Sequence, residues 1–256
     1  MKLSPIFRTT LGLMLVMTAP LASAAQCQAN SGAQRVALLE LYTSEGCSSC
    51  PPADRWLSGI ASQGFGPERV VPLALHVDYW DYIGWPDRFA RPVFGARHRE
   101  QVKASGGRVV YTPQVMLNGR DFAGWRSNTL GREVPEINRR AAGADIALTL
   151  NSIAPDRFEI TSIANAKGAS RAVMYVAVYQ NNLFSEVKAG ENRGVRLQHD
   201  YVVREWFGPI NVGTPWKQMI AAKPDWVASK MGVVGFVQDQ SSGEILQTLQ
   251  LPFCKS

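Results

Sequence analysis

Apolar positions in the first half of the chain switch between short continuous runs and helical spacing. Val36 to Tyr42 (VALLELY) is a continuous run closed by Thr-Ser-Glu-Gly, the pattern of a buried strand. Next, PPADRWLSGIASQG sets two prolines in a first turn and Trp56, Leu57, Ile60 and Ala61 at helical spacing, with Gly64 ending the run. VVPLALHVDYW gives a second strand from Val70 to His76. PDRFARPVFGARHREQVKA predicts a helix that opens at Pro86 and is interrupted near Pro92. VVYTPQVMLNGRDF reads as strand, proline, strand, then a hairpin turn at Asn118–Gly119. SNTLGREVPEINRRAA predicts a helix ending near Gly143, which makes the order β-α-β-α-β-β-α.

After Ala144 the helical spacing disappears. ADIALTL, RFEITSI, AVMYVAVYQ, YVVREWF, WKQMIAA, MGVVGFVQD and EILQTLQLP are short, β-branched and aromatic, and Gly, Ser, Asn and Pro turns separate them. Strands at this spacing predict a β-sandwich. The pattern divides the mature chain into an α/β domain over residues 25–143 and an all-β, sandwich-like domain over residues 144–256.

Residues 1–24 carry a different signature. Lys2 and Arg8 precede an apolar stretch, Leu11 to Met17, and Ala22-Ser23-Ala24 offers small residues for cleavage. This is the pattern of a signal peptide, too short to span a bilayer, and no later stretch is long enough to do so. Gln26 before Cys27 excludes a lipoprotein site, which needs a small residue there. The expected mature chain starts near Ala25 and is periplasmic or secreted, in an oxidising compartment. Its 46% hydrophobic content is that of a globular protein. Removing Lys2 and Arg8 lowers the basic residues from 27 to 25 against 21 acidic ones, a net charge of +4. That surplus is scattered, so nothing points to nucleic acid. Oligomeric state has no signature in the sequence.

Four cysteines remain, Cys27, Cys47, Cys50 and Cys254, and three pairings are possible. Cys47 and Cys50 are close enough to react with each other, which leaves Cys27 and Cys254. Bridging these two closes a loop of more than two hundred residues, worth on the order of 5 kcal/mol by chain entropy. The alternative is two unpaired thiols in the terminal tails. Cys47-Ser48-Ser49-Cys50 follows a strand and opens a helix, where backbone N–H groups stabilise a thiolate at the first cysteine. Cys47 is then the nucleophile, and Cys50, one turn on, resolves the mixed disulfide. Glu45 just upstream opposes thiolate formation. A structural zinc site needs a second ligand pair, and the only histidines are His76, His98 and His199. Cu(I) held by Cys47, Cys50 and His76 is an alternative. A third is a stable bridge within a binding module.

Pro113 joins two strand-like pieces, and a proline does not fit a central strand. A cis Thr112–Pro113 bond bends the chain and presents the Thr112 backbone to whatever lies opposite, whereas a trans proline would mark an edge strand. Together, ELYTSEGCSSCPPAD, HVDYWDYIGWPD, YTPQVMLNG and GENRGVRLQHDYVVREW resemble a family of exported thioredoxin-like proteins catalogued only as a domain of unknown function. The resemblance implies an α/β thioredoxin-like domain followed by a β-rich one. By the thioredoxin pattern, Cys47 and Cys50 are the redox pair, and Thr112 and Pro113 form the facing cis-proline loop. It implies thiol–disulfide exchange with protein thiols or disulfides and an exported redox partner, with no bound cofactor. Gly46 and Leu41 depart from that pattern, which has an aromatic and a buried acid at those places. Glu40, one residue away, points to the opposite face of a regular strand.

Three further features stand out. The aromatics of HVDYWDYIGWPDRF either fill a gap between domains or wall a groove through Trp80 or Trp85. His199-Asp200 reads as a structural pair, since no nucleophile motif accompanies it. GENRG, Gly190 to Gly194, reads as a charged turn and an interdomain contact.

Overall fold

A short strand, β1 (Gln26–Asn30), leads into the two apolar runs, which form β2 (Ala37–Thr43) and β3 (Val70–His76). These are seen in a computed structural model that describes residues 25–127 and 129–254, together with Met1. The expected signal peptide, residues 1–24, lies outside the described residues apart from Met1. Every residue of β2 and β3 is buried, and the strands pair in parallel from Ala37 opposite Val70 to Thr43 opposite His76. Continuous runs are what a parallel pair covered on both faces requires. Between them lies α1 (Pro51–Ser58), which begins on its two prolines.

The next helix, α2 (Pro92–Ala104), starts six residues later than expected. Pro92 forces Arg91 into an extended conformation (φ −141°, ψ 138°), so it sets the helix start and does not kink it. Ahead of it, Asp78–Ile83 forms a 3-10 turn. The strand expected before Pro113 is absent: residues 107–111 take no regular structure, and Val109 is exposed. β4 (Gln114–Leu117) runs antiparallel to β2 and turns at Asn118–Gly119 into β5 (Arg120–Asp121). α3 (Leu130–Asn138) stops short of Gly143 because the chain beyond it pairs with the N-terminal segment, Arg35 N–H donating to Arg140 O and Ala142 N–H to Ala33 O.

Beyond Gly143 come β6 (Ala144–Ala154), β7 (Arg157–Ala166), β8 (Ala172–Gln180), β9 (Leu183–Glu186), β10 (Arg196–His199), β11 (Val202–Asn211), β12 (Trp216–Ala221), β13 (Met231–Asp239) and β14 (Ile245–Pro252). One sheet has the order β14-β13-β8-β11-β3-β2-β4-β5, another β1-β6-β7-β12, and β9 and β10 form a separate hairpin. The result is a mixed, strand-rich α/β fold with few helices.

Strands from both sides of residue 144 share one sheet. The two sides meet where β11 joins β3, with Ala74 N–H donating to Tyr201 O at 2.8 Å. Alternate residues of β2 and β3 serve two cores. Leu39, Leu41 and Ala74 pack against Leu57, Leu130 and Val134 on α1 and α3. Leu38, Leu73 and Leu75 pack against Tyr175, Val234 and Phe236 from the second half. A third core, around Ile146, Leu148, Ile160, Val176 and Val233, lies between the four-stranded sheet and the far end of the larger one. β1 belongs to that four-stranded sheet, so the first strand of the chain lies with strands of the second half. Strand patterning reports which face is buried, not which sheet the strand joins. Among the described residues, no helix is long and apolar enough to cross a membrane.

Candidate functional site

β2 ends at Thr43, and the chain loops through Ser44 to Cys50 before α1 begins. Cys47 and Cys50 are joined by a disulfide, and Cys50 N–H donates to Cys47 O at 3.1 Å. Cys50 is the N-cap residue of α1, and its carbonyl accepts from Ala53 N–H at 2.9 Å. Both cysteines are 0% exposed, whereas Ser48 and Ser49 between them face solvent. The Thr112–Pro113 bond is cis, and that loop lies against the motif: Ser49 Oγ is 3.5 Å from Thr112 O and 3.4 Å from Cys47 Sγ. Trp80 holds the loop from behind, its Nε1–H donating to Thr112 Oγ1 at 2.7 Å. Far from this site, Cys27 and Cys254 form a second disulfide tying β1 to the chain beyond β14.

The β9–β10 hairpin reaches this loop from the second half of the chain. At its tip, Asn192 is buried and donates through Nδ2 to Glu45 O at 2.8 Å and to Cys47 O at 3.0 Å. Ser48 N–H donates to the Glu191 carboxylate at 2.9 Å, which holds that carboxyl below its ordinary range. The charged turn GENRG is thus the contact with the cysteine motif. Gly46 is explained by the same crowding. A Cβ there would come within 3.1 Å of Ile83 Cδ1, and one at Gly190 within 3.2 Å of the same atom. Ile83 of the 3-10 turn occupies the space that a larger residue before Cys47 would need.

Beneath the loop lies a buried charged cluster. His76 Nδ1 is 2.6 Å from Asp87 Oδ2, with both side chains fully buried. Asp87 also accepts from Glu45 N–H at 2.9 Å. Glu45 Oε1 lies 3.3 Å from His199 Nε2, and Glu45 Oε2 accepts from Trp85 Nε1–H at 2.8 Å. The His76 and His199 rings meet edge-on with centroids 4.9 Å apart. Asp54, one turn after Cys50, accepts from Thr43 Oγ1–H at 3.2 Å. Burial alone disfavours a charged imidazole, but the Asp87 carboxylate outweighs it and lifts His76 to about 9. Burial likewise raises Asp54. Asp87 and Glu45 are lowered despite their burial, Asp87 chiefly by His76 and Glu45 by the imidazole of His199 beside it.

Several expectations are corrected here. His199 does not pair with Asp200, whose carboxylate accepts from Asn182 N–H at 2.8 Å; its acidic partner is Glu45. His76 Nδ1 faces Asp87. Among the described residues, no group of three or more His, Cys, Asp or Glu is placed to hold a metal ion. Glu40 is buried on the opposite face, where it accepts from Arg97 Nε–H at 2.7 Å. Trp80 and Trp85 contact the two loops of the site directly. Sequence reasoning gave no role to Asp54 or Asp87, and it read the turn that carries Glu191 and Asn192 as an interdomain contact rather than as part of the cysteine site. Only Asp54 carries a local signal, an acid four residues after Cys50 on one helix face; the others are brought in by tertiary contacts.

A family model described as "Protein of unknown function (DUF1223)" matches residues 38–238. No curated protein matches the chain. Among solved structures, the chain is similar to the crystal structure of protein AGR_C_4864 from Agrobacterium tumefaciens, with 27% identity over 88% of this chain and 98% of that one and a TM-score of 0.63. It also shares its fold with HBP35 of Porphyromonas gingivalis, at 15% identity over 87% of this chain and 76% of that one, again with a TM-score of 0.63.

Proposed function

We propose, for a chain that belongs to the DUF1223 family, that it is an exported thiol–disulfide oxidoreductase whose first half is thioredoxin-like. The β3-β2-β4-β5 order, with α1 and α3 against one face and α2 against the other, supports that reading of the fold. Export is supported by the two disulfides, which persist in oxidising compartments. The observation that carries the function is the meeting of the Thr112–Pro113 loop with the Cys47–Cys50 turn at the start of α1.

In the oxidised protein, a partner thiolate bonds to Cys47 Sγ as the Cys47–Cys50 bond breaks, and Cys50 leaves as a thiolate that takes up a proton. A second thiol of the partner then displaces Cys47, so two electrons and two protons pass from partner to protein. Run in reverse, Cys47 attacks a partner disulfide, and Cys50 releases the partner. No cofactor takes part.

A Cys50→Ser variant tests this, because it leaves the mixed disulfide unresolved. We expect exported proteins to be trapped on Cys47 in a form released by reductant, and no such adducts when Cys47 is also replaced. Absence of adducts in both variants contradicts the proposal. Full burial of both cysteines favours a second reading, a structural bridge within a binding module. In that case the bond resists reductants of thioredoxin strength.

A further inference from the structure

A thiolate attacks a disulfide along the S–S axis and must come within about 3–3.5 Å of the sulfur it attacks. Neither cysteine exposes any surface, so as the protein stands no partner reaches them. Something has to move, and the elements around the motif differ in how firmly they are held. β2, α1 and β4 carry the central core. The 3-10 turn is pinned by Trp80 to Thr112 and by Asp81 to Asp87 N–H. The β9–β10 hairpin lies outside both large sheets. Its base is fixed by Leu183 in a small core with Phe89 and Val202, and by Arg88 Nη2–H donating to Phe184 O at 2.7 Å.

The tip of that hairpin is different. Lys188, Glu191, Arg193, Gly194 and Val195 are exposed, and the tip carries two glycines with positive φ, Gly190 (71°) and Gly194 (84°). Backbone bonds between Val187 and Gly194 and between Val187 and Val195 close it at its root. Among the described residues, two of its side chains hydrogen-bond it to the motif, Glu191 to Ser48 N–H and Asn192 to the carbonyls of Glu45 and Cys47. Resting on the oxidoreductase reading, we propose that residues 188–194 form a cap that closes the Cys47–Cys50 disulfide and lifts to admit a partner thiol. Lifting frees Ser48 N–H and Cys47 O together, so the backbone of an incoming polypeptide takes up the bonds that Glu191 and Asn192 give up.

The test compares the rate at which a small phosphine, tris(carboxyethyl)phosphine, reduces Cys47–Cys50 in the mature protein and in a Glu191→Ala/Asn192→Ala variant, with thiols counted by mass spectrometry. The expected result is reduction about tenfold faster or more in the variant, since net losses near one hydrogen bond each accumulate over three bonds. Rates within about twofold of each other would overturn the cap. Should the double variant fail to fold, Glu191→Ala alone, at an exposed position, is expected to give about threefold, and no acceleration there overturns the proposal equally. Amide exchange on the unmodified protein gives a second reading. Residues 188–194 and the Ser48 N–H are expected to exchange well before β8, and protection equal to that of β8 overturns the cap. The oxidoreductase reading fails separately, if the bond stays oxidised at equilibrium with excess dithiothreitol whatever the ratio of phosphine rates.

Discussion

His76 and Asp87 show at the residue scale how much charge the fold sequesters below its cysteine loop. Both side chains are fully buried and 2.6 Å apart, so each is compensated mainly by the other. Removing one partner strands the other, at a cost of about 3–5 kcal/mol. Asp87→Asn is therefore expected to lower stability by that order at pH 6, measured by urea unfolding. The sign of the pH dependence follows from the directions of the shifts. His76 is raised to about 9, so its contribution is complete below its unfolded value and is lost as pH rises through about 9. Asp87 is lowered, so its contribution is present above the ordinary carboxylate range and is lost as pH falls through the depressed value. The gap between wild type and Asp87→Asn should narrow at both extremes. A gap that is flat with pH would show that the pair is not ionised in the folded protein. None of this pairing is legible locally, because Asp87 lies eleven residues from His76, and Glu45 reaches His199 across most of the chain.

At the scale of elements, α2 acts as a fastener between the two halves. Its Arg97 is buried, bonds Glu40 on β2, and lies 4.8–5.0 Å from the ring centres of Tyr175, Trp206 and Phe236 on β8, β11 and β13. Arg97→Ala leaves the buried Glu40 without its ionic partner, and a loss of about 3–5 kcal/mol is expected from denaturant unfolding. Arg97→Ala/Glu40→Ala should cost less than the sum of the two single changes. The β4–β5 turn is a second point of close fit. A Cβ on Gly119, which has φ 88°, would lie 2.0 Å from Gly243 O. Gly119→Ala is expected to cost about 2–4 kcal/mol, read as a drop in melting temperature. That turn was legible because Asn-Gly is a strong local signal, and β2 and β3 because burial on both faces leaves a continuous apolar run. The β9–β10 hairpin was not. Its strands are four residues long with exposed polar positions, and the hairpin is placed by tertiary contacts at its base, Leu183 with Phe89 and Val202 and Arg88 with Phe184 O.

For the whole molecule, the larger sheet couples the cysteine motif to strands that the sequence pattern assigns to a second domain. The apolar spacing placed nearly every core strand but could not show that β11 runs beside β3, because both faces of β3 are apolar and accept either neighbour. Cys27–Cys254 closes the structure across a sequence separation of 227 residues. Replacing both with Ser should cost on the order of 5 kcal/mol, as an upper value, and leave the redox behaviour of Cys47–Cys50 unchanged. The most direct measurement is the reduction potential of Cys47–Cys50, taken by equilibration with a dithiol couple while Cys27–Cys254 is monitored separately. A value between about −270 and −120 mV, the span of known dithiol oxidoreductases, is expected. A value below about −300 mV, the range of structural disulfides, would contradict the account.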